Sequence, residues 1–475
     1  MVLHSTYAKV PVCNTALHEK VLTAIQQHID RNPNRIAFIS AEDAANRITF
    51  KEIYDQAYSV ASFLSSRGYG HLDVCCQVMP NCIEYAVFYL GALLCGGAMS
   101  GASAMFTDYE LERQFLDSRC KVVITDEAHL DKVLLATKRC REVKTVICVQ
   151  SSKSTRAIPS GVVPWHDVIR TRVTALPKYK FSPDDMALLP YSSGTTGSPK
   201  GVVLTHRNFT TMLDLVNSHF DENIVAKLGD SDWDYHKENL LLILPFYHIY
   251  GFGLLNQTLL KGTTGIILAK FEPTVFLNAI QTYKPKLLML VPPILLLLTK
   301  HPMTSNYDLS SFQFVLSGAA PAGKDLCDEF LNKYKHVSAP PLHTWRPLLP
   351  IGFELIFDES QGGGGARGGA LQWMASYKTA FCRRLLAMMQ GEMSGTTPVS
   401  IIYDPVRIRI LHLKSAPPQI RGMLPLKKRE YKMWCNDKLS IQLRSGQEPR
   451  TNKGFLPTQY MNNPRELSST SAFTF

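Results

Sequence analysis

The sequence predicts an α/β fold in which parallel-rich sheets are flanked by helices. Short β-branched or apolar runs alternate with helical stretches of about a dozen residues, the rhythm of βαβ units. Hydrophobic residues make up 45% of the 475, enough for large buried cores. At roughly 100–200 residues per domain the chain holds two or three domains.

Leu17, Val21, Ile25 and Ile29 recur at helical spacing, and Asn32-Pro33-Asn34 is a turn. Residues 35–40 read as a buried strand, 49–64 as a helix, 74–79 as a strand and 80–95 as an apolar helix stopped by Gly96-Gly97. A helix over 109–118 and strands over 121–125 and 145–149 continue the rhythm. Further on, strands are expected at 201–204, 239–244, 264–268, 287–291 and 312–317, with a helix over 273–283. The run 287–298 is by itself core.

Composition narrows the function classes. The apolar content excludes dominant disorder, and scattered Gly and Pro exclude a collagen-like or coiled-coil rod. The longest apolar stretches, 85–99 and 287–298, fall short of the ~20 residues a spanning helix needs, so no transmembrane segment is expected. Eleven dispersed cysteines without a CxxC pair suit a reducing compartment. The N-terminus lacks the long apolar core of a secretory signal, and Ser-Ala-Phe-Thr-Phe is no peroxisomal address. A cytoplasmic location is the expectation. Of the net charge of +11, residues 338–475 carry +9, from 18 Lys and Arg against 9 Asp and Glu. That segment is Pro-rich at 338–350, carries a Gly run at 361–370, and reads as linker and solvated basic surface. Nucleic-acid binding is not expected, because its charges lack interleaved aromatics on a structured platform.

The strongest chemical signal is YSSGTTGSPKGVVLTH at 191–206. Its glycines let the backbone approach a ligand and turn several N–H groups toward one point. Ser192, Ser193, Thr195, Thr196 and Ser198 add donors, and Lys200 adds a counter-charge for phosphate. Here Pro199-Lys200-Gly201 opens a strand, whereas a Walker A lysine opens a helix.

These residues resemble the phosphate-binding signature of the adenylate-forming superfamily, most closely acyl-CoA synthetases and the 4-coumarate–CoA ligase/luciferase group. Residues 79–125, LPFYHIYGF at 244–252 and VLSGAAPAGKDL at 315–326 resemble further core motifs of that family, in order. The resemblance covers about residues 15–337, an incomplete large domain. It implies ATP, Mg²⁺ and coenzyme A, and a carboxylic acid substrate, fatty or aryl, activated as an acyl-adenylate. By resemblance, Ser192, Ser193, Gly194, Thr195, Thr196, Gly197 and Lys200 cradle phosphates. Ser317, Gly318, Ala319, Ala320 and Pro321 line the adenine slot. His248 and Tyr250 contact the acyl substrate, with Lys200 and His248 the candidate catalytic residues. Without the resemblance, His248 reads more often as a core histidine satisfied by backbone, and Tyr250 equally as core packing.

The pattern breaks after the adenine segment. Where relatives carry a Tyr-Gly-Met-Thr-Glu-like motif, whose glutamate helps hold Mg²⁺, this chain has KHVSAPPLHTW at 335–345. No metal ligand is singled out. The ribose-gripping Thr-Gly-Asp and the small C-terminal domain with its catalytic lysine are missing from the pattern. Residues 338–475 therefore read as irregular, unassigned and largely non-family sequence. Two functions are expected as alternatives: an acyl-CoA synthetase, or an impaired relative that binds nucleotide or acyl ligand without turnover.

Overall fold

A computed structural model of the chain describes residues 10–337, apart from 152, 193–198, 229–232 and 321. Beyond these it describes the backbone of 399–403, 408–412, 433–434 and 440–441. The chain divides into two compact units, Met1–Ser394 and Gly395–Phe475.

The first unit opens with α1 (Leu17–Arg31), whose buried stripe is Leu17, Val21, Leu22, Ile25 and His28. Strands β1 (Ile36–Ser40) and β2 (Arg47–Thr49) follow as an antiparallel pair. Thr49 then caps α2 (Phe50–Ser66). Its hydroxyl accepts from the Glu52 N–H while the Glu52 carboxylate accepts from the Thr49 N–H, a reciprocal capping box. After β3 (Val74–Val78), helix α3 (Ile83–Leu94) is apolar on all sides and buried, as such a helix must be. It crosses α2 at Gly91, where a Cβ would lie 2.5 Å from Val60 Cγ1 and 2.9 Å from the Ala57 carbonyl.

The rhythm continues through β4 (Ala98–Ala102), α4 (Asp108–Ser118), β5 (Val122–Asp126), α5 (Leu130–Thr137) and β6 (Thr145–Val149). Next come β7 (Val162–Pro164), α6 (Trp165–Ile169), β8 (Met186–Leu188), β9 (Tyr191–Ser192), β10 (Lys200–Gly201), β11 (Leu204–Thr205) and α7 (His206–Asn223). Then follow β12 (Asn239–Leu242), α8 (Ile249–Lys261), β13 (Thr264–Ile267) and α9 (Pro273–Tyr283). The last elements of the unit's described part are β14 (Leu287–Leu290), α10 (Pro292–Lys300), β15 (Phe314–Ser317) and α11 (Lys324–Lys333).

A seven-stranded sheet runs β11-β8-β4-β3-β5-β6-β7, parallel throughout except for β11 against β8. Successive side chains point to opposite faces, so both faces of this sheet are covered. Cys75, Val122, Ile124 and Ile147 join the core with α2, α3 and α6. Cys76, Val123 and Cys148 pack with Leu111 and Phe115 of α4 and Val133 of α5. A four-stranded sheet runs β12-β13-β1-β2, with only β2 antiparallel, and β14 pairs with β15 in parallel. The predicted α/β class with parallel-rich sheets is therefore the observed one.

Two local expectations need correction. The single strand expected over 201–204 is two short strands in different sheets. β10 pairs with β9 and β11 with β8, because the backbone changes partner at Val202, whose N–H donates to the Pro190 carbonyl at 2.8 Å. The apolar helix expected over 80–95 begins only at Ile83, since Asn81 is occupied elsewhere. The strand expected over 287–291 is found as β14, and α10 follows it with Pro292 and Pro293 in the first turn, where a missing N–H costs nothing.

In the second unit, the described backbone comprises β16 (Val399–Tyr403) paired antiparallel with β17 (Ile408–His412), and β18 (Met433–Trp434) with β19 (Ser440–Ile441).

Candidate functional site

The candidate residues lie on segments that follow the carboxyl ends of strands, the edge where open α/β sheets hold ligands. The 191–201 loop is pinned at its base. Lys200 pairs with Ser192 and Gly201 with Tyr191, and the Tyr191 hydroxyl donates to Asp117 Oδ2 at 2.5 Å. Lys200 is exposed. Ser193, Gly194, Thr195, Thr196, Gly197 and Pro321 lie outside the described residues.

Strand β4 ties the loop base to the His248 turn. The Leu189 N–H donates to the Met99 carbonyl at 2.9 Å, and the Ser100 hydroxyl donates to the Leu189 carbonyl at 2.7 Å. On the same strand a Cβ at Gly101 would lie 2.7 Å from Tyr247 Cα, so only glycine lets that backbone come so close.

Two features fix the turn itself. Asn81, 6% exposed, donates to the Leu244 carbonyl at 3.0 Å and accepts from the Phe246 N–H at 2.8 Å. Gly251 lets the first turn of α8 settle on the chain, since a Cβ there would lie 2.2 Å from the Pro245 carbonyl oxygen. His248 is the N-cap of α8, its Nδ1 accepting from the Tyr250 N–H at 3.3 Å. Burial lowers its pKa, so the ring stays neutral.

Behind His248 lies an apolar cavity of about 50 Å³ between α7, α8, β14 and β15. Its walls include Met212 and Val216 from α7, Ile249 and Tyr250 from α8, Met289 and Leu316. Tyr250 is thus both buried and a cavity wall. Leu316 precedes Ser317, the last residue of β15, while neither His248 nor residues 317–320 are among the cavity walls. At that strand end the Ser317 hydroxyl is buried without a hydrogen-bond partner. The Gly318 N–H donates to the Leu290 carbonyl at 2.9 Å. Ala319 takes φ +66°, a left-handed conformation uncommon for alanine. Lys200 is not among the cavity walls.

Among the described residues no group of three or more His, Cys, Asp or Glu is placed to hold a metal ion. Sequence reasoning missed Asn81 and the whole α7 wall. The signal for α7 was present in Thr205 followed by Asn208, which form a capping box at its start.

Residues 25–345 match the AMP-binding enzyme family. The chain is 36% identical over 298 residues to 4-coumarate–CoA ligase 1 of Solanum tuberosum, covering 62% of this chain and 51% of that ligase. Acyl-CoA synthetase 7 of Caenorhabditis elegans is 32% identical over 307 residues, covering 64% of this chain and 55% of that synthetase. The chain therefore spans about half the length of the curated relatives it matches. A red-emitting luciferase from Phrixothrix hirtus shares the fold, with a TM-score of 0.60 and 24% identity over 69% of this chain and 76% of that one. The family match runs through every element that walls the cavity, from α7 to β15, and on that ground the chain belongs to the AMP-binding enzyme family.

Proposed function

We propose that the first unit carries the ATP- and acyl-binding half of acyl-CoA synthetase chemistry. A fatty or aryl carboxylate lies in the α7–α8 cavity with its carboxylate toward His248. A carboxylate oxygen attacks the α-phosphorus of ATP, forming the acyl-adenylate and releasing pyrophosphate. The thiol of coenzyme A then attacks the acyl carbon and AMP leaves. Chemistry of this kind rests on positioning and charge stabilisation. In this reading Ser192, Ser193, Gly194, Thr195, Thr196, Gly197 and Lys200 hold the β- and γ-phosphates. Ser317, Gly318, Ala319, Ala320 and Pro321 bound the adenine. Neutral His248 and Tyr250 orient the carboxylate, His248 by offering a hydrogen bond without a competing charge. The observation that carries the reading is the apolar cavity walled at once by Ile249, Tyr250 and Leu316, to which two separate motifs contribute.

The family domain in this reading is 15–337, with 338–475 outside it. A cytoplasmic setting belongs to the same reading, supported by the nine free cysteines among the described residues. No helix among those residues is long and apolar enough to cross a membrane.

A second reading, binding without turnover, is favoured by KHVSAPPLHTW standing at 335–345 in place of the carboxylate-bearing motif. ATP–pyrophosphate exchange with medium-chain, long-chain and cinnamic-type acids separates the two. Exchange supports the synthetase. Calorimetric binding of ATP and oleate without exchange supports the second reading, and absence of both defeats each.

A further inference from the structure

The seven-stranded sheet has a basic end. Strands β3, β5 and β6 run in parallel, so their first residues share one edge. Backbone bonds carry that edge sideways. The Leu72 N–H donates to the Gly96 carbonyl at 2.9 Å, the Lys121 N–H to that of Val74 at 2.8 Å, and the Lys144 N–H to that of Lys121 at 2.8 Å. The helices that lead back to this edge, α2, α4, α5 and α6, have Arg67, Arg119, Lys138 and Arg170 as their C-caps. Arg141 and Lys144, on the link into β6, and Arg172, beyond α6, add three more cations. The Thr174 N–H donates to Ser62 Oγ at 3.0 Å and holds that last segment against α2.

All seven are exposed, and none forms an ion pair among the described residues. Three acids nearby are engaged. Asp73 pairs with Lys121 at 2.7 Å, Glu112 with Arg139 at 3.7 Å, and Asp117 accepts from Tyr191. Glu142 stands exposed among the cations. Residues 1–337 hold 33 Lys and Arg against 31 Asp and Glu, so the remainder of that stretch is net negative. A cation at a C-cap favours its own helix, but Arg141, Lys144 and Arg172 cap nothing. Two residues of this edge take left-handed backbone that favours glycine, Arg119 at φ +51° and Leu72 at φ +65°. Leu72 is 53% exposed and Val173 52%. A leucine held outward amid cations, at a conformational cost, adds little to the core.

We propose that this edge docks on an anionic lipid surface, its cations meeting the headgroups while Leu72 and Val173 enter the headgroup layer. Aliphatic tips among cations suit lipid and give nucleic-acid bases nothing to stack on. Sedimentation of the full chain with vesicles tests this. Vesicles of phosphatidylcholine with about one-third phosphatidylserine should bind it at least about tenfold more strongly than phosphatidylcholine alone, and less so as salt rises. Residues 338–475 are basic as well, so substitutions on the edge decide. Arg119→Gly and Leu72→Gly remove a charge and an apolar tip where glycine suits the backbone, so thermal midpoints should hold. Arg119→Gly should weaken phosphatidylserine binding about fivefold, and its combination with Arg141→Gln and Lys144→Gln about a hundredfold. Leu72→Gly should weaken it about threefold. Equal binding to both vesicle types overturns the proposal, as does binding that survives the triple substitution. Tighter capture of a short RNA duplex, lost in the same triple variant, would assign the edge to nucleic acid and overturn the lipid partner. The acyl cavity is walled by other elements, so failure here leaves the proposed function standing.

Discussion

Asn81 lies far in sequence from the residues it holds. Its amide bridges the Leu244 carbonyl and the Phe246 N–H, and so sets the path of the chain into His248. Removing the amide leaves a buried N–H and a buried carbonyl without that partner. Asn81→Ala is therefore expected to destabilise the fold by about 1–3 kcal/mol, read as a lower denaturant midpoint at unchanged slope. A midpoint equal to wild type would show that the clamp contributes nothing. Asn81 is not itself a cavity wall, so its effect on ligand affinity should run through the His248 turn. In a variant that still folds, oleate binding should weaken.

At the scale of elements, α1 is fastened to the body by histidines rather than by a side-chain cap. The Leu17 N–H donates to His206 Nδ1 at 2.9 Å, and His28 Nε2 lies 3.1 Å from the Leu259 carbonyl. Burial lowers the His206 pKa to about 4, and burial with the neighbouring His206 lowers that of His18 to about 3. Both rings are neutral in the fold, whereas in the unfolded chain they protonate near 6.5. Their contribution is therefore whole above 6.5 and is lost as pH falls from there toward the folded values. Thermal midpoints measured from pH 7 down to 4.5 should drop, and His206→Gln should flatten part of that slope. A midpoint independent of pH over this span would refute the histidine fastening. His206 closes the 191–206 motif in sequence, yet its partners make it a structural residue.

Over the whole first unit, two-sided coverage of the seven-stranded sheet buries thiols that composition alone leaves ambiguous. Cys75, Cys76, Cys95, Cys120, Cys140 and Cys148 are buried and free. Burial pushes Cys75 and Cys95 up to about 12. The thiolate is the reactive form, so brief iodoacetamide treatment of the native protein at pH 8 should leave these six unmodified. Mass spectrometry should find them alkylated only after denaturation. Labelling of Cys75 or Cys76 in the native state would contradict the layered arrangement. Cys75 and Cys76 face opposite sides of β3, so the two together test both layers.

The sequence alone determined the strand–helix rhythm, the phosphate-loop motif and the family, because these depend on local periodicity and on residues adjacent in the chain. It located His248, Tyr250 and Ser317 as separate signals. Only the tertiary structure decided that Tyr250 and Leu316 wall one cavity and that Asn81 steers the His248 turn. Those relations are distances between chain-remote atoms. They are set by how α7 and α8 pack on β14 and β15, and no local pattern encodes them.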